Sequence, residues 1–260
     1  MKLGFIGMGN MATALVRGFI HSDMVAPCDI CAYDPATQRL ADMASELGFL
    51  PLGSEREVAE RADLVIMACK PHHVEGAVSA MGKALSGKAL LSIALGWSHA
   101  RYKAILPPDT RVQFVMPNTP AMVGAGMFLF EQTSTLSETE LAFVRELLAA
   151  VGEVEVLPDA LMGIGGALSG CGPAFVDLMI EAFADAGVLY GLPRDKAIKL
   201  VSQTVMGAAK LQKETQLHPG VLKDMVCSPG GSTIRGVAAL EHNGLRSACI
   251  GAVEAIMETE

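Results

Sequence analysis

Leu3-Gly4-Phe5-Ile6-Gly7-Met8-Gly9-Asn10-Met11-Ala12 is the stretch that decides the fold. Its first four residues form a short apolar run, the pattern of a buried strand. Gly7, Met8, Gly9, Asn10, Met11 and Ala12 then fit G-x-G-x-x-G/A, and the following helix places Ala12, Leu15, Val16 and Phe19 on one face. The pattern carries weight only between a strand and a helix, which is where it falls here. Gly7 permits the tight turn, Gly9 lets a pyrophosphate approach the backbone, and Ala12 keeps helix and strand close. The pyrophosphate would rest on the positive end of that helix. The plainer alternative is a glycine-rich turn with no ligand.

Working outward, apolar runs at residues 29–33, 63–68, 89–93, 111–116, 127–130 and 154–157 read as strands. Amphipathic patterns at 35–47, 74–85 and 137–151 read as helices between them, the last opened by a Ser137…Glu140 capping box. This alternation predicts an α/β Rossmann-type N-terminal domain with a mainly parallel sheet over residues 1–158. After Pro158 the strand signal stops. Helical periodicity at 160–168, 173–190, 194–213, 219–225, 232–242 and 245–258 predicts an all-α C-terminal domain over residues 159–260.

The 260 residues carry a net charge of −8 and no basic cluster, which argues against nucleic acid and anionic membrane as partners. No uninterrupted apolar run approaches the roughly 18 residues of a membrane span. The short apolar N-terminus runs directly into a turn and reads as a strand rather than a signal peptide, so a cytoplasmic location is expected. Half the residues are hydrophobic but few are aromatic, which suggests close-packed helices and a buried subunit interface. The six cysteines are scattered; Cys28 and Cys31 form a lone C-x-x-C that reads as structural thiols. No metal is expected: His72 and His73 are adjacent, and neighbours on a helix point about 100° apart.

Ligands of such sheets collect at the carboxyl ends of strands. Asp34 ends the second predicted strand, about 20 residues beyond the glycine motif, where an acid would bind the adenosine ribose. It also reads as a helix cap before Pro35. Arg39, one turn further on, would reach a 2′-phosphate instead, so the sequence points first to NAD(H) and leaves NADP(H) open. Cys69-Lys70-Pro71, Asn118 within Met116-Pro117-Asn118-Thr119-Pro120, and Ala94 within Ser92–Gly96 follow three further strands. Each is placed to line a cofactor groove, and each also reads as an ordinary turn. In the helical half, Gly230-Gly231-Ser232-Thr233 opens a helix with bare amides, two hydroxyls and a helix dipole, a cradle for a carboxylate. A simple cap at Ser232 or Thr233 is the alternative.

With these segments in order, the chain resembles the pyrroline-5-carboxylate reductases. The resemblance rests on residues 4–12, 69–71, 116–120, 167–174 and 224–234, above all on Ser228-Pro229-Gly230-Gly231 with Thr233. It implies reduction of (S)-1-pyrroline-5-carboxylate to L-proline by NADPH or NADH. It implies that Gly230, Gly231, Ser232 and Thr233 hold the substrate carboxylate, that Thr233 hydrogen-bonds the ring nitrogen, and that Asp159 lies near substrate. It also implies cofactor contacts from Cys69 to Pro71 and near Ala94, and a homodimer of interlocked helical domains, stacked into a decamer in some members. Many members carry a serine, threonine or asparagine where this chain has Asp34. Cys171 stands where serine is common.

The chemistry suits the residues. A protonated cyclic imine accepts hydride readily, so positioning supplies most of the acceleration, and no covalent nucleophile is expected. The nearest competing reading is a β-hydroxyacid dehydrogenase of the same layout. It would need a base such as a lysine on the first long helix of the second domain, and residues 173–187 hold no Lys, Arg or His. A dinucleotide-sensing module without catalysis is the other reading. Asp177, Glu181 and Asp185 form an acidic stripe that reads as a solvated helix face.

Overall fold

The computed structural model describes residues 1–258. The chain divides into two compact units, Met1–Gly170 and Cys171–Glu260. The first contains, in order, β1 (Leu3–Ile6), α1 (Asn10–His21), β2 (Ile30–Tyr33), α2 (Thr37–Leu47), β3 (Leu50–Pro51) and α3 (Glu55–Arg61). There follow β4 (Leu64–Met67), α4 (Val74–Met81), β5 (Ala89–Ser92), α5 (His99–Lys103), β6 (Arg111–Met116) and β7 (Gly126–Glu131). Then come α6 (Glu138–Ala149), β8 (Gly152–Leu157) and α7 (Met162–Ser169). The sheet has eight strands in the order β3-β2-β1-β4-β5-β6-β7-β8. Every neighbouring pair is parallel except β6 and β7.

Near-continuous apolar strands follow from burial on both faces. Leu3, Phe5, Leu64, Ile66, Ala89 and Leu91 point to one face, under α1, α2 and α6 through Leu15, Phe19, Leu40 and Leu147. Ile6, Val65, Met67 and Leu90 point to the other, under Val58 of α3, Val78 of α4 and Tyr102 of α5. Each fully buried Leu, Ile or Phe contributes about 1.5–3 kcal/mol, so the two layers dominate the stability of this unit. The Ser137 box at α6 forms as expected, both halves made. Arg111 at the start of β6 reaches Glu140 in that first turn, at 2.6 and 2.8 Å.

Three short elements go beyond the sequence reading. β3 is a two-residue strand ending in a proline. α3 is nearly all polar and buries only Val58 and Ala59. α5 has five residues. The compact units divide at Gly170, beyond Pro158. Helical periodicity does begin after Pro158, but α7 packs on the sheet with Met162 against Phe114 and Leu129. It can do so because Gly165 and Gly166 lack side chains: a Cβ there would lie 2.5 Å from Leu157 Cδ1 and 2.6 Å from Met116 Sδ respectively.

The second unit comprises α8 (Gly172–Leu189), α9 (Arg194–Thr215), α10 (Pro219–Val226), α11 (Ser232–His242) and α12 (Leu245–Met257). Only Ala184 on α8 and Ala197 on α9 are fully buried apolar residues among those described. Asp185 of the acidic stripe pairs with Arg194. Leu178, Phe183, Leu200, Met206 and Ile250 are exposed, as are many others. This much exposed apolar surface marks an interaction face. By length and composition the stretch Asp159–Leu189, which holds an 18-residue window of mean hydropathy 1.3, passes for a membrane span. That revises the expectation that no segment approaches one, although Gly170 and Cys171 separate α7 from α8.

Candidate active site

Strand order brings the predicted cofactor residues of the first unit to one edge. β2, β1, β4, β5 and β6 are adjacent and parallel. Their carboxyl ends therefore line up Asp34, the Gly7–Ala12 turn, Cys69–Pro71, Ala94 and Asn118 along one rim, the place where such sheets bind ligands.

Gly7 has a φ of +92°, which only glycine adopts without strain. A Cβ there would also lie 2.9 Å from the Cys69 backbone. The first turn and the end of β4 thus need this glycine twice over. Gly9 is the extended N-cap of α1, makes no side-chain cap, and faces open space where a Cβ would go. The first amides of α1 are left for an anion to accept, with the helix dipole behind them. Ala12 is buried.

Asp34 is turned inward. Its carboxylate accepts from the Met8 amide at 2.8 Å and the Ala36 amide at 2.9 Å, and pairs with Arg39 at 3.2 Å. The residue is 7% exposed, whereas the Arg39 side chain is 52% exposed. Asp34 closes a local turn ahead of α2, whose N-cap is Ala36, and is the strut of the glycine turn. Its charge is balanced by a guanidinium that stands in solvent.

Cys69 and Pro71 flank exposed Lys70. Burial pushes the Cys69 thiol up to about 11, so it stays protonated and is no nucleophile at neutral pH. Ala94 is buried, and its amide donates to Ser92 Oγ at 3.2 Å, which in turn shares a 2.8 Å hydrogen bond with Tyr102. Trp97 Nε1 donates to the Pro71 carbonyl at 2.9 Å. The sequence reading passed over Trp97 and Tyr102; the only available signal was a lone tryptophan just past a strand end. The Asn118 side chain is fully engaged. Its Nδ2 donates to the Ser169 carbonyl at 2.9 Å, and its Oδ1 accepts from the Met127 amide at 2.8 Å. It braces β7 and α7, which leaves backbone rather than side chain to face a cofactor.

In the second unit, Ser228 to Gly231 form a turn closed by the Gly231 amide on the Ser228 carbonyl at 3.0 Å. Pro229 and Gly230, with φ +70° at Gly230, fill the central positions of a type II turn. A Cβ on Gly231 would lie 2.5 Å from Ser228 Oγ. The Gly231 amide, expected to hold a carboxylate, closes this turn. α11 starts with no side-chain cap, so the Ser232, Thr233 and Ile234 amides are the ones left open. Thr233 is exposed, and its hydroxyl has no partner among the described residues. Asp159 belongs to the first unit. Both its oxygens accept from Thr133, from the amide at 3.0 Å and from the hydroxyl, and the hydroxyl bond holds its carboxyl below the usual range.

A doubly wound sheet, a glycine turn with an open helix start, and a basic residue in the first turn of the helix after the second strand define a dinucleotide-dependent oxidoreductase scaffold. Residues 2–96 match the family described as NADP oxidoreductase, coenzyme F420-dependent, and residues 159–260 match pyrroline-5-carboxylate reductase dimerisation. The chain is 40% identical over 258 residues to pyrroline-5-carboxylate reductase of Escherichia coli K12, covering 99% of this chain and 96% of the relative. Among solved structures, the pyrroline carboxylate reductase of Plasmodium falciparum with NADP bound matches at TM-score 0.89 and 32% identity, covering 100% of this chain and 96% of that one. The Coxiella burnetii pyrroline-5-carboxylate reductase matches at TM-score 0.92 and 31% identity, covering 99% and 96%. The chain belongs to the pyrroline-5-carboxylate reductase family. The apolar face of the helical unit lies within the region matched as a dimerisation family.

Proposed function

We propose that this protein reduces (S)-1-pyrroline-5-carboxylate to L-proline with hydride from NADPH or NADH, the last step of proline biosynthesis. The near full-length identity to pyrroline-5-carboxylate reductases carries the reading, and the open start of α11 supports it. There the Ser232, Thr233 and Ile234 amides would receive the substrate carboxylate, and Gly230 and Gly231 shape the turn that exposes them. The Thr233 hydroxyl, unpartnered among the described residues, would hold the ring nitrogen and fix the ring's orientation.

The open space at Gly9, the uncapped start of α1 and the solvent-standing Arg39 suit a dinucleotide with a 2′-phosphate. When bound, the reduced nicotinamide supplies the hydride that the imine carbon takes up, while the imine nitrogen keeps its proton. Asp34 supports the pyrophosphate turn from behind rather than contacting ribose first. Since Arg39 balances its charge, Asp34 repels a 2′-phosphate weakly, and NADPH is the favoured cofactor. Cys69, Lys70, Pro71, Ala94 and the Asn118 backbone line the rim. Asp159 serves as an anchor for Thr133 and acts on substrate only indirectly.

The protein acts as a homodimer through its helical unit. The six free cysteines fit a reducing, cytoplasmic setting. Initial rates of NADPH and NADH oxidation with pyrroline-5-carboxylate test the reading. Turnover with a lower KM for NADPH is expected. Turnover with a β-hydroxyacid and none with the imine would overturn it.

A further inference from the structure

We propose that Trp97 is a positioning residue that locks together the two strand-end loops forming the nicotinamide side of the cofactor groove. The inference rests on the function proposed above and deepens it. β4 and β5 are neighbours, but their loops leave the sheet separately and share no ladder beyond Met67 and Ser92. Beyond the last rung, a hydrogen bond from Ile93 to the Met67 carbonyl at 3.0 Å ends the backbone pairing. Past that point two side-chain links hold the loops. Trp97 Nε1 donates to the Pro71 carbonyl at 2.9 Å, tying the second loop to the first. Tyr102, Ser92 and the Ala94 amide form a buried chain that fixes the second loop to α5.

The links are built to be rigid. Trp97 and Tyr102 are essentially buried, their rings 5.0 Å apart. The Arg101 guanidinium lies 4.0 Å from the Trp97 ring centroid and donates to the Gly96 carbonyl at 3.3 Å, closing the cluster toward solvent. Burial also pushes the Tyr102 hydroxyl well up, so it stays neutral and can hold Ser92 across the physiological range. A loop held only by its backbone would swing. One held by a buried indole keeps a fixed distance between Pro71 and Ala94, and a groove of fixed width binds its ligand without an ordering cost.

Trp97→Phe keeps an aromatic ring, though a smaller one, and removes the N–H; Tyr102→Phe removes the hydroxyl alone. Each is expected to raise the KM for NADPH about fivefold, the worth of one net hydrogen bond, with kcat at saturating cofactor and the KM for imine unchanged. A merely structural role would lower the active fraction, hence kcat, and leave that KM alone. As Trp97 is the only tryptophan, the wild-type protein offers a second readout that needs no variant to fold. Because the lock holds the ring in place, saturating NADP⁺ should leave its emission maximum where it is. A working wild type with unmoved cofactor KM in both variants, or with an emission maximum shifted by NADP⁺, overturns the lock alone. A wild type that consumes no NADPH overturns the function proposal as well.

Discussion

At the residue scale, small atoms decide the chemistry. Thr233 contributes one hydroxyl at an exposed helix start, and Thr233→Ala should lower kcat/KM for the imine about tenfold, the loss of a hydrogen bond to a charged group. Cofactor binding, read by calorimetry, should not change; unchanged kinetics would remove Thr233 from the site. Arg39 stands half in solvent against a buried carboxylate. Arg39→Ala should raise the KM for NADPH about tenfold and that for NADH little. Equal effects on both cofactors would make Arg39 only the partner of Asp34. The glycine motif and the Ser228–Thr233 turn were legible in sequence because backbone conformation there admits few residues. The inward turn of Asp34 was not, since a carboxylate at a strand end reads the same whether it faces ribose or its own glycine turn.

At the element scale, long elements announced themselves by period, and short ones did not. α3 and β3 are too short to establish a period, and their place is set by neighbours rather than by their own pattern. The α7 helix has clear periodicity, yet its partner, the sheet, is invisible locally; the glycines that let it approach look like ordinary helix weakeners. The α6 start offers a test. Arg111 and Ser137 hold Glu140 well below its ordinary value, at about 2. A depressed carboxylate contributes stability that is complete above its unfolded pKa and lost as pH falls through the folded one. Stability should therefore drop between about pH 4.5 and 2 by about 2 kcal/mol, allowing for solvent screening at Arg111. Glu140→Gln should remove that part of the acid sensitivity in urea titrations. An unchanged pH profile would mean that the pair is fully screened.

At the scale of the whole molecule, the helical unit buries little of its own apolar surface, while the sheet unit buries most residues of β1, β2 and β4 to β7. The first unit reads as a self-sufficient core and the second as half of one. Met179 and Phe183, four residues apart on α8 and partly exposed, lie close on one face. Replacing both by glutamate should shift the protein from dimer to monomer in sedimentation equilibrium, with lost activity; a stable dimer would place the interface elsewhere. The central claim is hydride transfer from a nicotinamide to the imine carbon, and isotope transfer tests it most directly. Pyrroline-5-carboxylate and NADPH carrying deuterium at the transferred position should yield proline deuterated at C5, matched mole for mole to the NADPH consumed. Bound NADPH that is never oxidised, or proline without the label, would contradict it.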